Sequence, residues 1–166
     1  MLVFTLSASA QSIVGKWDVD ASDLMSDMPE EFTEGEVYMT FDENSYGSLT
    51  FDVAGEFPID DTTIVKCKMG MDLNYLWIMS DDNLTLSLTD TVASIKSIEV
   101  VPENPEYTAM IPMIREMFEK YLGTIMSEDM AEEMESIGAL KVEFVSPDEI
   151  VLYKDGEEKR RLKRAL

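Results

Sequence analysis

The chain has 166 residues, 45% of them hydrophobic, which suits one domain with a full core and excludes disorder as the default state. A formal charge of −21 argues against binding to nucleic acid or an anionic membrane, where neutralising phosphates needs clustered Lys and Arg. With no histidine and a single cysteine, Cys67, the chain has no Ser-His-Asp or Cys-His triad, no imidazole metal ligand and no internal disulfide.

In chain order, Leu2-Val3-Phe4-Thr5-Leu6 is apolar and Ser7-Ala8-Ser9-Ala10 is small. Ala8-x-Ala10 fits the signal peptidase rule, with cleavage before Gln11. Segment 1–10 is therefore expected to be the tail of a signal peptide and 11–166 the mature domain, with an ordinary N-terminal strand as the alternative. No stretch has the length and apolarity of a membrane span.

A first strand is expected over about 12–19 and contains Gly15-Lys16-Trp17. Between Ala21 and Thr33, Leu24, Met28 and Phe32 recur at helical spacing, and Pro29 limits any helix. The period then becomes two. Val37, Met39 and Phe41 alternate with polar residues, as do Leu49, Phe51 and Val53, and Asp42 to Gly47 supply the turn. Further strands are expected at 62–71, where Cys67 shares the apolar side with Val65 and Met69, and at 74–80, with Tyr75 and Trp77. Leu84, Leu86 and Leu88 mark another, and a weaker run follows at 94–101.

Residues 106–136 switch to helical periodicity, with Thr108 as a cap and a second short helix at 128–136. Strands resume at Leu140 to Phe144, Ile150 to Tyr153 and Lys159 to Arg164, the last two joined by the hairpin signal Asp155-Gly156. Short strands and turns at this spacing predict an all-β fold with a helical insert: an antiparallel meander of about 8–10 strands closing into a barrel.

The Gly15-x-Trp17 strand, the helical segment behind it and the long meander ending in a basic strand resemble the calycin superfamily. Within it, the chain looks most like the small lipocalin-like domain proteins exported by Bacteroidota. It implies a barrel whose Trp17 packs across the closed end under an Arg of the last strand. Arg160 and Arg164 both fit, since each shares the face of Leu162. Gly15, Trp17, Arg160 and Arg164 are thus the expected structural barrel base. Three features depart from the best-known lipocalins: the Thr-Asp-Tyr type motif is missing, their disulfide is impossible, and the helix precedes the last three strands.

Thirteen methionines are the other signal. Met is flexible and polarizable and suits surfaces that accept varied apolar ligands. Met69, Met79, Met110, Met113, Met117, Phe118 and Tyr121 are the candidate ligand-binding residues, with the 106–136 helix as a lid over an apolar mouth. In the alternative, that helix plugs or flanks the barrel and its Met side chains are core. Asp18-x-Asp20-x-x-Asp23 lacks the Gly and distal Glu of a calcium loop, so no metal is expected. No cofactor or catalytic residue is expected.

The expected function is non-enzymatic binding of a small apolar or amphipathic ligand by a protein exported to the periplasm or exterior of a bacterium. The alternative is an interaction or inhibitor module with a filled barrel, binding another protein through its acidic surface or helical insert. A carboxylate-dependent hydrolase ranks behind both, because no nucleophile motif or carboxylate pair stands out.

Overall fold

The structure is a computed structural model that describes residues 12–22, 30–121 and 139–165. The expected signal segment 1–10, most of the helical stretch expected before Thr33, and the second helix expected at 128–136 lie outside the described residues. The elements are β1 (Gly15–Val19), β2 (Phe32–Phe41), β3 (Tyr46–Pro58), β4 (Ile64–Ser80), β5 (Asn83–Val101), α1 (Pro105–Tyr121), β6 (Ala139–Ser146), β7 (Glu149–Lys154) and β8 (Glu157–Arg164). Each strand pairs antiparallel with the next, and β8 returns to β1, so the eight described strands close into a ring with α1 inserted between β5 and β6.

Alternation dictates which side chains enter the ring. Trp17 faces Met39, which faces Leu49, which faces Leu73 on β4. These and Ile13, Phe41, Tyr75, Leu84, Leu140, Val142, Ile150, Leu152 and Leu162 form the main core, most of it almost wholly buried. Phe41 packs edge-on against Trp77 with ring centroids 5.7 Å apart. The last hairpin turns at Asp155 and Gly156, both at positive φ (53° and 84°), as the tightest right-twisting hairpins require.

Two expected boundaries are absent. The strands expected at 62–71 and 74–80 are one strand, β4, and the two runs within 84–101 are one strand, β5. Asp72, Asn74 and Asp90 lie within these strands: Thr50 donates to the Asp72 carboxylate at 2.6 Å, and Thr89 donates to the Asn74 backbone carbonyl at 3.0 Å. Asp90 itself accepts from the Thr91 amide at 2.9 Å. β5 absorbs the surplus residues in two bulges, at Thr89 and Lys96, where two residues face one on β4.

The long strands therefore run past the ring. The start of β2 and the upper halves of β3, β4 and β5 form a wing with its own small core of Cys67, Met69 and Ile95, flanked by Phe32, Val53, Phe57 and Phe118. α1 covers the inner face of this wing. Its cap is Asn104, whose side-chain oxygen accepts the Glu106 amide at 2.9 Å; the expected cap, Thr108, sits one turn inside. Pro105 takes the first helical position, where no backbone donor is missed, whereas Pro112 lies well inside the helix.

Candidate functional site

The base of the barrel is built around Arg164. Its guanidinium lies 4.2 Å from the centre of the Trp17 ring. It donates to the carbonyls of Val14 at 3.0 Å, Ser12 at 3.1 Å and Pro147 at 3.2 Å, with the Asp148 carboxylate at 3.6 Å. One side chain thus ties the segment before β1, the β6–β7 turn and the floor of the core. Trp17 is fully buried, and its indole N–H donates to the Ile13 carbonyl at 2.7 Å. Gly15 is required twice over. Its φ of 139° is one that other residues rarely adopt, and a Cβ there would stand 2.5 Å from an Arg164 nitrogen.

Of the two arginines the sequence allows, only Arg164 is on the Trp17 ring. The register pairs Trp17 with Arg164, whereas Arg160 pairs with Leu152 further up β8, is exposed, and donates to the neighbouring Lys159 carbonyl. Two other cations of the basic strand are paired with carboxylates: Lys159 bonds Glu157 at 2.9 Å, and Arg161 bonds Glu149 at 2.6 Å and Glu158 at 3.1 Å, which raises the Arg161 pKa further.

The floor is sealed, but the inner wall is not. Phe51, Trp77, Met79, Leu86, Leu88 and Phe144 pack against the main core while remaining partly exposed. The reason lies in the pairing. β4 and β5 are joined along their whole length, but β5 meets β6 at only three residue pairs, ending at Thr85↔Ala139. Leu86 and Leu88 follow immediately on β5, where no described strand continues the ladder. This seam, with Trp77 beside Leu86 and Leu88 beside Tyr75, is the candidate functional site, while Phe144 lies at the other end of β6, paired with Ile150.

The expected ligand-binding set does not assemble there. Met79 lies on this wall, but Met69 is in the wing core, 2% exposed. Phe118 packs on Phe57 with centroids 5.6 Å apart, also in the wing. Met110, Met113 and Met117 face outward, at 39%, 59% and 61% exposure, so they neither cover an apolar mouth nor belong to the core. The helix turns Tyr107, Ile111, Ile114 and Phe118 to the protein instead, a stripe offset by one residue from the Met row. The side chain of Tyr121 lies outside the described residues.

Polar groups elsewhere have structural partners. Burial pushes the Cys67 thiol up, against the pull of nearby Arg115, so it sits as a small core residue. Burial also pushes up the Tyr75 hydroxyl, which donates to the Thr40 carbonyl at 2.9 Å. Asp20 accepts the Ser22 amide at 2.9 Å, while Asp23 of the acidic triplet lies outside the described residues. On the outer face of the wing, a polar trough of about 310 Å³ is lined by Glu34, Glu56, Lys66, Lys68 and Glu99 among others, and its best-placed pair, Lys66 and Glu56, is already closed at 2.8 Å. No family model matches the chain, and no curated protein matches it at a significant level.

Proposed function

We propose that this is an exported, non-enzymatic, lipocalin-like protein that holds a small apolar or amphipathic molecule at the β5–β6 seam. One observation carries the reading: Leu86, Leu88 and Trp77 form an apolar inner wall that the ring leaves partly open to water. Each Å² of such surface recovers about 25 cal/mol when a ligand covers it, and the sealed floor beneath gives the ligand a rigid backing. The lipocalin-like reading draws support from the eight-stranded closed meander and from Arg164 on the Trp17 ring. Export rests on Ala8-Ser9-Ala10, and a non-enzymatic role on the absence of histidine and of any nucleophile motif in the sequence.

The test is native mass spectrometry of protein purified from its host, combined with titration by the apolar dye anilinonaphthalene sulfonate. A retained adduct of lipid size, dye uptake that quenches Trp77, and loss of both in Leu88→Asp with unchanged far-UV circular dichroism are expected. A bare protein that takes up no dye, or uptake that Leu88→Asp leaves intact, overturns the proposal.

A further inference from the structure

On the outside of the barrel base, strand alternation puts large apolar side chains where polar ones prevail. Tyr46 on β3 and Leu76 on β4 are direct cross-strand partners, and Ile78 is the next outward residue of β4. They are 57%, 39% and 68% exposed. Their neighbours on the same face are polar: Ser48, Asn74, Thr85 and Ser87. The core gains nothing from these three, because the opposite face of the same strands supplies it.

The patch is also held in place. The Trp77 amide donates to the Ser45 carbonyl at 2.9 Å and its indole N–H to the Tyr46 carbonyl at 3.1 Å, fixing the β2–β3 turn against β4. The turns at this end of the barrel contribute acids. Asp42 is spent on the Asn44 and Tyr46 amides, and Asp82 on Lys141. Glu43 and Asp81 are exposed and have no partner among the described residues.

We infer that the Tyr46–Leu76–Ile78 face docks a protein partner whose contacting segment carries apolar side chains flanked by Lys or Arg. The apolar trio supplies the buried area, with Tyr46 as the natural anchor, and Glu43 and Asp81 set the sign of the partner. Charge argues against the other occupants: a second copy brings another −21, and an anionic lipid surface is repelled in the same way.

The probe is an alternating Lys-Leu decapeptide, with a Glu-Leu decapeptide as its counterpart, titrated into methyl-labelled protein and followed by NMR. The Lys-Leu peptide is expected to move the Leu76 and Ile78 methyl signals, with an affinity that falls as salt rises, and to leave Leu86 and Leu88 in place. Ile78→Asp, and separately the pair Glu43→Gln with Asp81→Asn, are expected to weaken it about tenfold. The charge-removing pair leaves the apolar trio intact and carries the test if Ile78→Asp fails to fold. Equal response to both peptides, shifts at Leu86 and Leu88 instead, or unchanged affinity in both variants overturns the inference. So does a concentration-dependent dimer that Ile78→Asp dissolves, which would make a second copy the occupant.

Discussion

The base of the barrel and the wing above it are made from the same long strands but are held by different means. The base surrounds Trp17, Leu73, Tyr75, Leu84, Ile150 and Leu162, all fully buried, and one arginine locks its floor. The wing buries a smaller set, Cys67, Met69 and Ile95 with Val65 and Val100 further along, and depends also on partly exposed rings and polar ties. Lys96 reaches across β4 to Asp52 at 2.5 Å, Arg115 of α1 donates to the Ile95 carbonyl at 2.6 Å, and Tyr107 donates to Asp60 at 3.0 Å. Apolar burial contributes far more per side chain than exposed ion pairs do. The wing should therefore open locally while the base stays closed, and the seam with the half-open wall lies where the two regimes meet.

The largest effect expected is at the floor. Trp17→Ala removes a fully buried ring and the seat of Arg164, and should cost ~3–5 kcal/mol of global stability in a denaturant titration. A loss under about 1 kcal/mol would erase the distinction between the regions. Arg164→Met should come next, at ~2–3 kcal/mol, since it leaves three carbonyls and the ring face without their donor. Arg160→Met should change stability by no more than ~0.5 kcal/mol, because among the described residues its guanidinium bonds only the adjacent Lys159 carbonyl. Similar losses from the two arginines would show that the clamp is not what stabilises the base.

That last contrast also marks what the sequence can and cannot reveal. Gly15 and Trp17 are legible in the sequence as the Gly-x-Trp pattern whose resemblance implies a barrel floor. Choosing between Arg160 and Arg164 is not possible from sequence. Both lie on one face of β8, and only the ring-closing register, joining residues some 150 apart, brings Arg164 over the indole. The lengths of β4 and β5 are hidden for a related reason. Asp72, Asn74 and Asp90 are residue types common in turns, yet Thr50 bonds the Asp72 carboxylate across the ladder, and Asn74 and Asp90 sit beside a bulge within it. On α1 the apolar residues are too numerous to define one stripe, and Phe57 selects the Phe118 side over the Met side. The short β5–β6 pairing, which creates the seam, has no sequence signal at all.

A smaller effect is expected in the wing. Phe118→Ala deletes a partly buried ring that packs on Phe57, and should cost ~1–2 kcal/mol, below the figure for a sealed core position. The loss should be local. Hydrogen exchange should speed up in α1 and in the wing half of β5, while amides beside Trp17 keep their protection. Uniform acceleration through base and wing would mean that the two fold as one cooperative unit.

The smallest effect isolates a single tie. Asp60, in the β3–β4 turn, accepts the Thr62 amide and, from α1, the Tyr107 hydroxyl; with help from the Thr62 hydroxyl and the Thr63 amide, these hold its pKa down from 3.8 to about 2. A carboxylate with a depressed folded pKa stabilises the docked state above its unfolded pKa, and that contribution is lost as pH falls through the folded pKa. The window therefore runs from about pH 4 down to about pH 2. Across it, the helical signal of α1 should fall earlier than the fluorescence of Trp17 and Trp77, both of which sit in the base. Asp60→Asn should weaken the attachment of α1 already at neutral pH and remove its share of the acid response. Because protonating other carboxylates also relieves repulsion in so acidic a chain, the comparison with Asp60→Asn is what decides. If wild type and variant lose α1 along the same acid curve, Asp60 is not the tie, and α1 is held by its apolar stripe and Arg115 instead.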